Sequence, residues 1–137
     1  MANPVNIEKA RMKAAFSEVQ KINSYKTIKE FESYVNKVPA FIMTNGLGNT
    51  FAYIAGQSKS TWKKVKEAIE NWLKDNNSGF KEIFDNKDFM KELVKSSDDQ
   101  MRALTQEVLA YLNWLRKFAK ARKIELETQK QNTNSNG

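Results

Sequence analysis

The chain has 137 residues, with 23 Lys and Arg against 16 Asp and Glu, a formal charge of +7, and neither Cys nor His. That length suits one domain with a single core, and the two missing residue types exclude zinc fingers, disulfide frameworks, thiol nucleophiles and imidazole bases. Positive charge gathers at both ends, residues 1–40 carrying 7 basic and 4 acidic groups and residues 101–137 carrying 7 and 3, which favours a phosphate-bearing partner or an acidic protein surface.

Helical periodicity runs through most of the sequence. Asn3 and Pro4 form a cap and first-turn pair, followed by Val5, Met12, Ala15, Phe16, Val19 and Ile22 as one apolar stripe. Thr27 with Glu30 reads as a capping box. It opens a shorter helix with Ile28, Phe31 and Val35 inside, expected to stop near Lys37 because Val38 precedes Pro39.

The next segment, PAFIMTNGLGNTFAYIAG at 39–56, carries conflicting signals. Asn45 and Gly46 between apolar runs signal a hairpin, whereas Pro39 as a first helical residue and Gly56 as a terminator frame a helix. Helix is the stronger reading, although Gly46 and Gly48 cost it roughly 1 kcal/mol each. Ser60 then caps a helix with Trp62, Val65, Ile69, Trp72 and Leu73 on its inner face, ending in the turn cluster from Asp75 to Gly79. A short helix or turn covers Phe80 to Phe84, and Asp85 with Asp88 opens another bearing Phe89, Leu93 and Val94.

Ser97 caps the last helix, and Asp98 and Asp99 complement its N-terminal dipole. Placed at ~100° per residue, Met101, Leu104, Val108, Tyr111, Leu112, Leu115, Phe118, Ala119 and Arg122 lean to one side. Arg102, Asn113, Arg116 and Lys120 share the adjacent flank, with Trp114 and Leu109 at the margins of the apolar arc. So wide an arc marks a central helix, expected to end near Glu127 at a length on the order of 45 Å. The fold class is therefore all-α, a single-domain helical bundle packed around a long C-terminal helix. Residues 1–127 form the domain and residues 128–137 a disordered polar tail.

The opening residues are too charged for a signal peptide, and apolar runs such as Phe51 to Ala55 fall far short of the ~18 residues of a membrane span. A cytoplasmic protein is expected. Gly46 to Thr50 lacks the Gly-Lys-Ser/Thr ending and the preceding strand of a phosphate loop. The acidic pairs Asp98 with Asp99 and Glu125 with Glu127 lack further ligands at metal-site spacing, so neither a metal nor another cofactor is expected. Tyr111, Trp114 and Phe118 alternate with Arg116, Lys117 and Lys120 like a single-strand binder, but their helical positions assign the rings to the core. Arg102, Arg116, Lys120 and Lys123 exceed what the helix dipole requires and form a candidate phosphate strip. Lys9 and Lys13 on one margin of the first helix, with Arg11 on the other, offer a second candidate surface; if the two ends pack together they form one cationic groove.

Three blocks carry a family resemblance: EKARMKAAFSEV at 8–19, KVPAFIMTNGLGNTFAYIA at 37–55 and TQEVLAYLNWLRKFAKA at 105–121. Together they resemble the small subunit of the type III-B (Cmr) CRISPR RNA-targeting effector complex. The more specific elements are Asn45, Gly46 and Leu47, and the run from Asn113 to Ala119. The resemblance implies an all-helical, non-catalytic subunit that stacks in several copies along guide RNA and target RNA. Backbone subunits, a large polymerase/cyclase-like subunit and neighbouring copies of itself would be its partners. It also implies that Asn45 and Gly46 lie within a helix. Base pairing reads the target in such an assembly, so a Lys and Arg strip contacting only the RNA backbone suits the role. Arg11, Arg116 and Lys117 fall within the matching blocks, whereas Lys9, Lys13, Lys120, Lys123 and Arg102 rest on helix geometry. The competing reading is a helical protein-interaction adaptor with a basic face for an acidic partner.

Overall fold

The computed structural model describes residues 6–135, with side chains through residue 132. Its helices are α1 (Ile7–Gln20), α2 (Tyr25–Asn45), α3 (Leu47–Ala55), α4 (Ser60–Leu73), α5 (Lys81–Phe84), α6 (Phe89–Lys95) and α7 (Asp98–Ser135). The architecture is all-α. α7 is the spine, packed mainly against α1 and α2 and also against α4; α3 joins α2, α4 and α6 on the far side of the bundle. Its inward face runs through Leu104, Val108, Tyr111, Leu112, Leu115 and Ala119, all fully buried. Trp72 of α4 stacks on Tyr111 with ring centroids 5.7 Å apart, tying α4 to the spine.

Pro39 and Gly46 exchange their expected roles. α2 does not end at Lys37 but continues through Pro39 to Asn45. An interior proline sacrifices one backbone hydrogen bond and costs about 3 kcal/mol. Burial of Val35, Val38 and Ile42 on the same face offsets it. The break falls instead at Gly46, whose φ of 85° and ψ of 162° lie where side-chain-bearing residues are strained. Its amide donates to the Ile42 carbonyl at 2.8 Å and closes α2. Its own carbonyl accepts from the Thr50 amide (3.2 Å) and Thr50 Oγ1 (2.8 Å), opening α3. Asn45 and Gly46 therefore form a helix-to-helix junction: neither a hairpin nor the interior of one continuous helix.

Several caps shift by a few residues. The expected Asn3–Pro4 cap and Val5 lie outside the described residues, and α1 is capped by Asn6, whose side chain accepts the Lys9 amide. Ser24, rather than Thr27, caps α2 by accepting the Thr27 amide at 3.1 Å. Ser60 is the first residue of α4, and the capping position belongs to Lys59, which makes no side-chain cap. Of Asp85 and Asp88, expected together to open α6, Asp88 is its cap and Asp85 instead closes α5. Ser97 and Gln100 bond reciprocally at the start of α7, Ser97 Oγ accepting the Gln100 amide and Gln100 Oε1 the Ser97 amide. Two residues expected in the core face outward, Phe16 (49 % exposed) and Val94 (79 %).

α7 also outruns its expected end at Glu127, and as a 38-residue helix spans about 57 Å. Beyond Glu127 the helix continues through Ser135; residues 136–137 lie outside the described ones. One contact reaches the first extra turn: Lys130 Nζ sits 4.9 Å from the centre of the Tyr25 ring. Among the described residues no helix is long and apolar enough to cross a membrane.

Candidate nucleic-acid interface

The basic residues at the α1–α7–α2 seams divide by what they touch. Arg11 points inward and is 14 % exposed. Its Nε and Nη2 donate to Oε2 and Oε1 of Glu107 at 2.6 and 2.8 Å, and Nη1 donates to Glu8 Oε1 at 2.5 Å. Trp72 Nε1 donates to the same Glu107 at 3.0 Å. Glu107 is thus a buried carboxylate held by a bidentate guanidinium and an indole, geometry in which charge-assisted hydrogen bonds are strongest. Hydrogen bonding to Glu107, followed by that to Glu8, raises the Arg11 pKa against the opposing effect of burial. Arg11 is therefore an internal cross-link from α1 to Glu107 of α7, which Trp72 of α4 joins, and Glu107 and Glu8 already occupy the guanidinium that was expected to face RNA.

Glu8 links this knot to the surface. It accepts from Arg11 and, at 3.1 Å, from Trp114 Nε1, and those two hydrogen bonds lower its pKa. Trp114 is half-buried, its ring 5.9 Å from Phe118, which in turn meets Phe16 edge-on at 5.5 Å. Lys117 Nζ lies over Trp114 at 5.5 Å.

On the other side of α7, Arg116, Lys117 and Lys120 line a groove with Asn113, Glu32 and Asn36. All three cations are exposed. Arg116 bonds through Nε to Asn36 Oδ1 at 3.2 Å, a neutral partner that orients the guanidinium without neutralising it. Spacing by three and four residues places Arg116 and Lys120 one turn apart on α7. Lys123, one turn further, pairs with Glu32 at 3.4 Å and is half-buried. Arg102 stands at the far end of α7, paired with Asp99, about 21 Å from Arg116 along the axis. It does not join the strip.

Lys9 and Lys13 are exposed on α1. Lys13 borders a different groove, shared with Ser17, Asn71 and Asp75 between α1 and α4. The two basic ends pack together through α1 and α7, yet Lys13 and the α7 cations line separate grooves. Of the acidic residues considered as metal ligands, Asp99 pairs with Arg102 and Glu125 with Arg122. Among the described residues no group of three or more acidic side chains is placed to hold a metal ion.

The sequence reading missed Glu107, Glu32 and Asn36. Glu107 carried a signal: it stands three residues after Leu104 and four before Tyr111, at the edge of the buried arc, where a lone charge requires a partner. Glu32 and Asn36 gave none, because their meeting with Lys123 and Arg116 depends on how α2 crosses α7.

A family model described as CRISPR-associated protein (Cas_Cmr5) matches residues 7–122. The match begins with the first residue of α1 and takes in Arg11, the aromatic seam, Arg116, Lys117 and Lys120.

Proposed function

This chain belongs to the Cas_Cmr5 family, the small subunits of type III-B Cmr CRISPR complexes, and from that premise we propose that it is a non-catalytic RNA-contacting subunit. It partners with other subunits of the Cmr complex. In the proposed role it stacks beside neighbouring copies of itself along the paired guide and target RNA, within reach of the backbone subunits and the large polymerase/cyclase-like subunit. The contact surface is the α7 strip of Arg116, Lys117 and Lys120, with Lys9 and Lys13 of α1 as a second cationic margin.

The observation that carries this reading is the electrostatic condition of the strip. Three exposed cations share a groove in which Arg116 has only a neutral hydrogen-bond partner, inside the span matched by the family. Such a surface binds phosphates without reading bases. That suffices where base pairing supplies specificity.

The test is target-RNA binding by complexes assembled with Arg116→Gln/Lys120→Gln. Each lost phosphate contact lowers the slope of log affinity against log salt by about one, so the double variant should lose about two for every copy that touches the RNA. Melting temperature should stay unchanged, as both side chains are exposed. An unchanged slope would overturn the surface. If the chain instead keeps its protein partners equally well after RNA digestion and without RNA, and the slope does not move, the adaptor reading takes its place.

A further inference from the structure

The rings expected to be core residues on α7 end in a surface feature that phosphate binding does not use. Phe16 is 49 % exposed although it makes an edge-on contact with Phe118, and Phe118 and Trp114 remain only partly covered. Cations lie on either side of this seam. Lys9, Lys13, Phe16 and Gln20 are all exposed and spaced by four, three and four residues, so Phe16 sits within the outward face of α1. Across the seam, Lys117 projects from α7 over Trp114. The nearby carboxylate of Glu8 is held by Arg11 and Trp114, which limits its repulsion of a polyanion.

We propose that the seam of Phe16, Phe118 and Trp114 is a stacking site for one unpaired nucleobase of an RNA strand whose phosphates are held by the lysines on either side. The proposal rests on the RNA-contacting reading above and adds a contact to the base itself. Aromatic faces flanked by cations are the recurring chemistry of single-strand binding, because every base has a π-face and needs no edge-specific hydrogen bond. Charge complementarity selects RNA over an apolar protein segment: Lys9 and Lys13 border the seam on one side and Lys117 on the other. The ring of Phe16, 49 % exposed, offers the open surface.

The experiment uses the assembled complex and target RNAs in which 2-aminopurine replaces one nucleotide at a time, including positions left unpaired by the guide. Fluorescence should fall on binding at an unpaired position. Phe16→Leu should restore it and weaken affinity about fivefold or more, the loss of one base stack, while leaving the salt slope unchanged. Leu keeps an apolar contact with Phe118, and an unchanged melting curve verifies the fold. If no position is quenched, or Phe16→Leu leaves the quench intact, the stacking site is overturned. In that case a reduced salt slope in Arg116→Gln/Lys120→Gln would still support the phosphate strip, so the two ideas fail separately. Loss of a protein subunit from the Phe16→Leu complex in the absence of RNA would assign the seam to a protein contact and also overturn the proposal.

Discussion

Arg11 and Arg116 carry the same guanidinium on neighbouring helices, and the structure uses them in opposite ways. Arg11 is held by two carboxylates, Glu107 and Glu8, each of which also accepts from an indole N–H. Arg116 stands in solvent with a single amide oxygen to steer it. The contrast teaches that a cation is available to a ligand only when its own fold has not already supplied the anion. In water an exposed cation contributes little to stability. A buried one is bound to its partner by the penalty of leaving either charge alone.

The sharpest way to break this contrast is Glu107→Ala. It leaves Arg11 with only the exposed Glu8 and the buried Trp72 N–H with no acceptor, and a loss of about 3–5 kcal/mol in unfolding free energy is expected, measured by urea denaturation. RNA affinity per folded molecule should not change. A similar loss of affinity without loss of stability would mean that the knot belongs to the binding surface. Arg11→Lys is the milder version. Lysine cannot reproduce the bidentate fork, and a loss of about 1.5–3 kcal/mol is expected; stability equal to the unsubstituted chain would show that the fork geometry is immaterial.

The smallest effect concerns pH at the junction of the two regions. Glu8 is depressed chiefly by its Arg11 hydrogen bond and secondly by Trp114, so its folded-state pKa lies below the unfolded one. Its contribution is present above the ordinary carboxylate range and fades as pH falls through the depressed value. The expected sign is a slight loss of stability on acidification, accompanied by a change in Trp114 fluorescence as its N–H acceptor is protonated. Glu8→Gln should remove that optical transition. If the transition persists in the variant, another group produces it.

How much could be read from the chain depends on whether a feature is local. The stripe from Leu104 to Ala119 is spaced for a helix and its burial followed directly, as did the inner face of α4 from Trp62 to Leu73. Tyr111 was correctly assigned to the interior. Phe16 was misjudged because its spacing on α1 is right for a stripe, but the stripe faces two neighbours and Phe16 reaches only the rim of one. Val94 follows the apolar spacing of α6, yet the neighbouring helices do not cover that side. Pro39 and Gly46 show the same limit within one segment. Local propensity puts Pro39 at a helix start and Gly46 inside the helix, but burial of Val38 kept the proline within α2, and the positive φ of Gly46 set the break.

By itself the sequence determined the helical class, the central position of the last helix and the excess of cations along it, because periodicity and charge are properties of residues and their spacing. The blocks 8–19, 37–55 and 105–121 likewise contained the family resemblance that the match over residues 7–122 bears out. Only the tertiary structure decided which cations remain open. Arg11 lies 96 positions before Glu107 and Arg116 lies 80 after Asn36, so both partnerships exist only once α1 and α2 have crossed α7. No spacing within a helix encodes that crossing; it is set by how the buried faces of three helices fit one another.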